Sequence, residues 1–320
     1  MNNENRYYPY SEYLKNKYGE KVYKLPIHLP ITCPNRKNGV GCTFCADIGT
    51  GFEAASSLVP IKEQMKITKE HIASKYHAKK FIAYFQNYTN TYMPKKDFER
   101  YIGEAITQED IVEISLSTRP DCIRKDYMEI LKKFHDKYSV NIHIELGLQT
   151  ANYHVLDQIN RGHGLAEYIN AVLTIKSYGF SVCTHIILNL PHDTDRDMIE
   201  TAKIISALGT DIVKIHSLYI AKNSPMDKDY QSGNIKICSK EEYLNRLRLF
   251  LEYLDPNIAV ERLFSRIPET DSSFSNWSTS WWKLRDEFME HIAIQQSFQG
   301  KKFNYLDGSA LDFYETKDEH

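Results

Sequence analysis

The sequence predicts an α/β fold, an open barrel of about six βα units with a small C-terminal α+β extension, and three observations predict it. Short apolar stretches alternate with longer helix-like ones through the first two thirds of the chain, the pattern of βα units around a parallel sheet. Those short stretches carry one apolar and one polar face. Helix ends are marked as well, by Gly179 and Gly209 just past two helical stretches, where a left-handed residue closes a helix.

Strands are expected at 21–31, 80–86, 111–117, 140–149, 181–190 and 211–218, with helices at 62–76, 94–107, 126–137, 153–158, 165–178 and 194–208. Successive strand side chains point to opposite sides. In the third strand Val112, Ile114 and Leu116 therefore oppose Glu113, Ser115 and Ser117, and in the fourth Ile142, Ile144, Leu146 and Leu148 oppose Asn141, His143, Glu145, Gly147 and Gln149. Cys183, His185 and Asn189 share a side of the fifth strand, as Lys214 and His216 do in the sixth. A closed eight-stranded barrel is filled by branched aliphatics. If helices cover the apolar faces here, the polar faces point into an interior that holds water or a polar ligand. An antiparallel sheet with one wet face shows the same alternation, but the helix-length segments between strands argue against it.

A cluster of Pro, Asp, Ser and Gly at 223–234 marks a boundary. Residues 1–234, with an N-terminal helix and a cysteine loop, then form the barrel, and 235–320 form an accessory segment. That segment is expected to hold a helix at 240–254, a strand at 258–263 and an aromatic region with Trp277, Trp281 and Trp282.

Composition narrows the class. At 320 residues the chain can bury a large core without staples, and six cysteines are too sparse for a disulfide scaffold. No apolar run approaches the roughly 20 residues of a membrane helix, and no leader pattern follows the polar start Met1-Asn2-Asn3-Glu4. The expectation is a cytoplasmic protein with reduced thiols and no membrane partner. The net charge of −2 conceals a division: the first 100 residues hold 16 Lys+Arg against 9 Asp+Glu, the remainder 24 against 33. A solvated face of mixed charge explains such a bias. So does an anionic partner, with Lys15, Lys17, Lys21, Lys24, Lys75, Lys79 and Lys80 suited to a phosphate backbone.

Cys33, Cys42 and Cys45 follow the first strand with the spacing C-x8-C-x2-C, on a loop containing Gly39 and Gly41. Three thiolates so close in sequence can converge on one inorganic centre. An iron–sulfur cluster fits, and so does structural zinc if His28 completes a Cys3His set. A structural zinc site wants four closed ligands, whereas three ligands on a four-iron cluster leave one iron open for chemistry. Cys122, Cys183 and Cys238 are dispersed and read as small buried thiols.

Further motifs follow the cysteines in order: AYFQNYTNTY at 83–92, STRPD at 117–121, ELGLQ at 145–149, INRGH at 159–163, HIILNLP at 185–191, and the pair Lys214-Ile215. Together with TCPNRKNGVGCTFC they make the chain resemble the radical S-adenosylmethionine (SAM) superfamily, in particular the branch of the Elongator catalytic subunit and the bacterial YtqA/YhcC-type proteins. The cysteine loop is longer than the C-x3-C-x2-C common elsewhere in that superfamily. Its Gly-Gly-Glu-like turn is replaced here by Gln-Asn-Tyr, and a frequent acidic residue on the third strand by Ser117.

The resemblance implies a partial TIM-like barrel in which Cys33, Cys42 and Cys45 bind a [4Fe–4S] cluster, its open iron chelated by the methionine moiety of SAM. It implies Phe44 near the adenine, Gln86, Asn87 and Thr89 near the methionine amino end, Gln149 and His185 facing the ribose, and Ser117 and Arg161 near other polar groups of SAM. Glu145 and Lys214 are inward-facing candidates for catalysis. Arg119 and Arg161 also have a structural reading, pairing with Asp121 or capping a helix. An electron from a donor such as flavodoxin or ferredoxin would cleave SAM to a 5′-deoxyadenosyl radical that takes hydrogen from the substrate. By the same analogy the substrate is tRNA, altered at the carbon-5 side chain of the wobble uridine, of carboxymethylaminomethyl or aminomethyl type. The chain ends too soon after the barrel for an acetyltransferase domain, so acetyl-CoA chemistry is not expected. A radical enzyme acting on a small metabolite and a zinc-stabilised RNA-binding adaptor are the competing readings. The tryptophans, with Tyr7, Tyr8, Tyr10 and Tyr13, suit either stacking on nucleobases or packing of the accessory segment.

Overall fold

A computed structural model describes residues 6–37, 39, 41–45, 55–266 and 271–311. In chain order the elements are α1 (Tyr10–Tyr18), β1 (Val22–Ile27), α2 (Pro34–Lys37), α3 (Ile61–Tyr76), β2 (Lys80–Phe85), α4 (Lys95–Ile106), β3 (Ile111–Thr118), α5 (Lys125–Tyr138), β4 (Asn141–Gln149), α6 (Tyr153–Gln158), α7 (Leu165–Ser177), β5 (Ser181–Ile187), α8 (Asp195–Ala207), β6 (Ile212–His216), β7 (Tyr219–Ala221), α9 (Pro225–Gln231), α10 (Lys240–Tyr253), β8 (Ala259–Arg262), β9 (Ser272–Ser275) and α11 (Trp281–Ile294).

Seven strands form one sheet in the order β1-β2-β3-β4-β5-β6-β8, every neighbouring pair parallel. The wet-faced antiparallel alternative is excluded. The six expected strands all stand, somewhat trimmed at their ends. The seventh, β8, comes from the segment read as accessory and pairs with β6, with Val213 opposite Val260 and then a bulge that sets Lys214 opposite Arg262. β7 and β9 make a separate antiparallel pair. Within 223–234, read as a boundary, stands α9, started by Ser224, whose hydroxyl accepts from the Asp227 amide, and by Pro225 at its first position.

Apolar strand faces meet the helices, as the alternation requires: Ile114, Leu116, Ile144 and Leu146 are buried in one cluster with Met128, Leu131, Tyr168 and Val172. The other faces enclose the interior, which is layered. At the N-terminal end of the strands Tyr10 and Leu14 of α1 pack against Val22, Ile82, Cys183, Ile212 and Ala259, so α1 plugs the barrel. Lys17 and the Tyr18 hydroxyl fix that plug to Glu113 at 2.8 and 2.6 Å. Above it lies a charged layer, and above that the mouth. α1 also borders β8, where the Val260 amide donates to the Tyr8 carbonyl at 2.8 Å.

This layering corrects the expected anionic-partner surface. Lys24 is half-buried, salt-bridged at 2.8 Å to both Glu145 and Glu261. Lys17 pairs with Glu113 and Lys80 with Glu20. Lys15, Lys21, Lys75 and Lys79 are exposed, but they flank the starts of β1 and β2. The mouth lies a strand length away, about 20 Å at ~3.3 Å per residue. Of the two readings of the aromatic residues, packing holds for several, while Trp281 and Trp282 are exposed. Tyr10 is buried and stacked on Tyr13, while Trp277 packs on Tyr243 and Phe274 with its indole N–H on the Cys238 carbonyl. Among the described residues no helix is long and apolar enough to cross a membrane.

Candidate active site at the barrel mouth

The C-terminal strand ends surround an open cleft of about 1130 Å³, where catalytic groups gather in parallel βα barrels. Cys33, Cys42 and Cys45 line one end of it. Their loop is docked by the turn at 159–163. The Asn35 side chain donates to the carbonyls of Asn160 and Arg161 at 2.7 and 2.9 Å, that of Asn160 donates to the Gly41 carbonyl at 2.7 Å, and the Thr43 amide donates to the Ile159 carbonyl at 3.0 Å. Gly162, at φ +72°, allows the approach, since a Cβ there would collide with Asn35.

Donors face the sulfurs. Arg161 reaches Cys42 Sγ at 3.5 Å and Asn35 reaches it at 3.6 Å, while Arg119 lies 3.8 Å from Cys33 Sγ. Arg119 serves both of its readings, because it also pairs with Asp121 at 2.7 Å and donates to the Gly162 carbonyl. Burial pushes the Cys45 thiol up, against the nearby Arg36. Among the described residues no three His, Cys, Asp or Glu side chains surround the position of a single ion; a cubane asks for something different, one thiolate on each of three irons. Three thiols along one wall, with cations and an amide turned toward sulfur to offset thiolate charge, fit that group.

Below the thiols lies the charged layer. Six side chains converge on the buried Glu145 carboxylate: Lys24 and Ser115 on Oε1 at 2.8 and 3.1 Å, and His185, Tyr84, Lys214 and Ser117 on Oε2 at 2.7, 2.9, 3.3 and 3.3 Å. Burial alone would raise its pKa, but Lys214 and Lys24 hold it well below the usual range. Glu261 is held at about 2 by the same lysines against its own burial. Burial likewise keeps His185 neutral, outweighing its bond to Glu145, and His216 is pushed further down by burial and then by His185.

All but one of the expected site residues line this cleft: Phe44, Gln86, Thr89, Ser117, Glu145, Gln149, Arg161, His185 and Lys214 accompany the cysteines. Gln149 does so from a left-handed backbone, φ 81°, uncommon outside glycine. The exception is Asn87, which is 1% exposed, not part of the wall, and without a side-chain partner among the described residues. Sequence reasoning missed Tyr84, Lys24, Glu261, His216 and Arg262. Tyr84 sat in a quoted motif and Lys24 and His216 on inward strand positions, but β8 had not been assigned to the sheet.

An open parallel barrel with a three-cysteine loop over a polar interior defines a class, enzymes that work with a cofactor enclosed at the barrel mouth. Residues 31–205 match the Radical SAM superfamily and residues 210–293 the radical SAM C-terminal domain, so the chain belongs to the radical SAM superfamily, in its Elongator-like branch. It is 33% identical to the uncharacterized protein YtqA of Bacillus subtilis over 96% of this chain and 95% of that one. Among solved structures it resembles the archaeal Methanocaldococcus infernus Elp3, with TM-score 0.66 and 16% identity over 87% of this chain and 64% of that one. A tRNA uridine(34) acetyltransferase of the same archaeon is 23% identical over 50% of this chain and 29% of its own length. The cofactors of the family are a [4Fe–4S] cluster and SAM, and the zinc reading of the cysteines gives way.

Proposed function

We propose that this radical SAM enzyme modifies tRNA, altering the carbon-5 side chain of the wobble uridine, of carboxymethylaminomethyl or aminomethyl type. The observation that carries the proposal is the single cleft joining a three-thiol end to a buried polar interior. The kinship of half the chain to a protein named for uridine 34 of tRNA supports the substrate.

In this reading Cys33, Cys42 and Cys45 hold the cluster, with Arg161 and Arg119 offsetting its charge from the positions they take beside sulfur. When bound, the cluster and SAM supply a carbon radical that takes hydrogen from the substrate. Phe44 offers the adenine an apolar wall. Gln86 and Thr89 would meet the methionine end, with Asn87 buried behind them, Gln149 and His185 would meet the ribose, and Ser117 adds a hydroxyl. Glu145 acts as a positioning residue, fixing the Nε2–H of His185 toward itself and leaving Nδ1 toward His216 at 3.4 Å. Lys214 is held by Glu145 and Glu261 at 3.3 and 3.0 Å. The α1 plug keeps water from entering below, which a reactive radical requires. Flavodoxin or ferredoxin fits as electron donor, and the setting is cytoplasmic.

The test is to digest total tRNA from a deletion strain to nucleosides and compare masses with the parent. One wobble uridine derivative should be lost and its precursor should accumulate, and both should revert on complementation with the wild type but not with Cys42→Ala. Identical nucleoside profiles would sink the tRNA reading.

A further inference from the structure

The charges that line the cleft or reach into it nearly all have partners. Lys24 and Lys214 answer Glu145 and Glu261, two cations to two anions. Arg119 answers Asp121. Arg161 is spent on the Gly147 carbonyl and Cys42 Sγ, and Arg36 on the Cys45 carbonyl and the Tyr88 ring. Arg262 remains. It lines the cleft and is half-buried, and its guanidinium makes no hydrogen bond or ion pair with any described residue.

A second, independent observation bears on the same residue. Glu261 and Arg262 are consecutive in β8, so a regular strand would send them to opposite faces. The bulge against β6, where Val213 faces Val260 but Lys214 faces Arg262, makes Glu261 the extra residue. Glu261 therefore reaches Lys24 and Lys214 in the interior while Arg262 also enters the cleft. Bulges beside active sites re-aim side chains in this way. Arg262 pairs across the sheet with Lys214, and its charge reaches His216, neither of them an anion. His216 is kept uncharged by burial, and the arginine adds to that effect.

We propose that Arg262 is the receptor for a carboxylate carried by the substrate. A half-buried guanidinium that meets no carboxylate among the described residues is open to one supplied by a ligand, and its planar fork matches a carboxylate. Arg161 and Arg119, beside the thiols, would serve SAM, whereas Arg262 stands by Lys214 and His216. The inference rests on the uridine reading and deepens it. Of the two side chains considered there, the acidic carboxymethylaminomethyl group fits this wall, and a basic aminomethyl group would be repelled.

The test uses the full chain, reconstituted without oxygen and saturated with SAM, with N-methylglycine and N-methylglycinamide as probes at tens of millimolar. The acid should raise the wild-type melting temperature more than the amide, and Arg262→Gln should erase that difference while leaving SAM affinity by equilibrium dialysis unchanged. In the complemented deletion strain Arg262→Gln should accumulate the acidic nucleoside, with turnover down on the order of tenfold or more, and Arg262→Lys should restore part of it. Equal effects of acid and amide on the wild type, an undiminished acid effect in Arg262→Gln, or weakened SAM binding would each overturn the assignment. If deletion leaves tRNA unchanged, the uridine reading fails, and the acid and amide comparison still decides on Arg262.

Discussion

Glu145 shows what a single buried carboxylate can organise. Its two oxygens fix Lys24, Lys214, His185 and Tyr84 at once, so Glu145→Gln leaves two ammoniums with Glu261 alone. Breaking a buried pair by removing one partner costs about 3–5 kcal/mol. Chemical denaturation of Glu145→Gln should show a loss of that order, and its His185 should lose the anchor on Nε2. Asp193 predicts the opposite sign. Burial, and then Asp197, push its carboxyl up to about 7 from an ordinary 3.8; Oδ1 meets Thr150 at 3.2 Å while Oδ2 has no partner among the described residues. A carboxyl whose folded pKa is raised adds no penalty below its unfolded value, and it drains stability as pH climbs toward the folded one. Asp193→Asn should therefore match the wild type near pH 4 and exceed it at pH 8 by on the order of 1–3 kcal/mol, read from melting curves across pH.

At the scale of elements, the loop bearing the thiols is shaped by a turn more than a hundred residues away. Gly162 lets Asn35 approach, and a Cβ at Gly147 would collide with the Arg161 guanidinium, whose Nη2 reaches the Gly147 carbonyl at 2.7 Å. Gly162→Ala should fold, because the turn is at the surface of the mouth, yet bind less iron and sulfide per chain on reconstitution. Iron content equal to wild type would show that the docking is dispensable. The strands and helices were legible because period-two faces and glycine stops are local signals, and ELGLQ and INRGH were legible as motifs. That they grip one another was not, since nothing in sequence spacing says that Gly147 makes room for Arg161. β8 was expected as a strand, but its place in the barrel sheet was missed for a related reason. A four-residue strand after a long helix carries too little pattern to reveal its sheet, and with it went Glu261 and Arg262.

For the whole molecule, parallel strands put the cleft at one end and the exposed Lys15, Lys21, Lys75 and Lys79 at the other. If tRNA is the substrate, charge reversal at Lys15 and Lys79 should leave its retention and salt dependence unchanged. Reversal at Lys37 should weaken both: it is exposed and borders an open groove, next to the mouth, that Tyr92, Met93 and Arg124 also line. Filter binding across salt concentrations separates the outcomes, each lost phosphate contact lowering the slope by about one. The sequence disclosed the charge bias but not its direction, because only the fold says which end of a strand a lysine flanks.

The plug at the base of the barrel has a consequence for synthesis. The amide of Tyr8 donates to the Gln299 side chain at 2.9 Å and the Arg6 carbonyl accepts from the Gln299 amide at 2.9 Å, while Gln299 also donates to the carbonyls of Asp255 and Ile258. The segment that leads into α1 thus has its partners in residues 255–299, and at roughly 5–20 residues per second it waits many seconds for them to emerge. Nascent chains stalled before residue 299 should remain open to protease at α1, and those released beyond it should be protected.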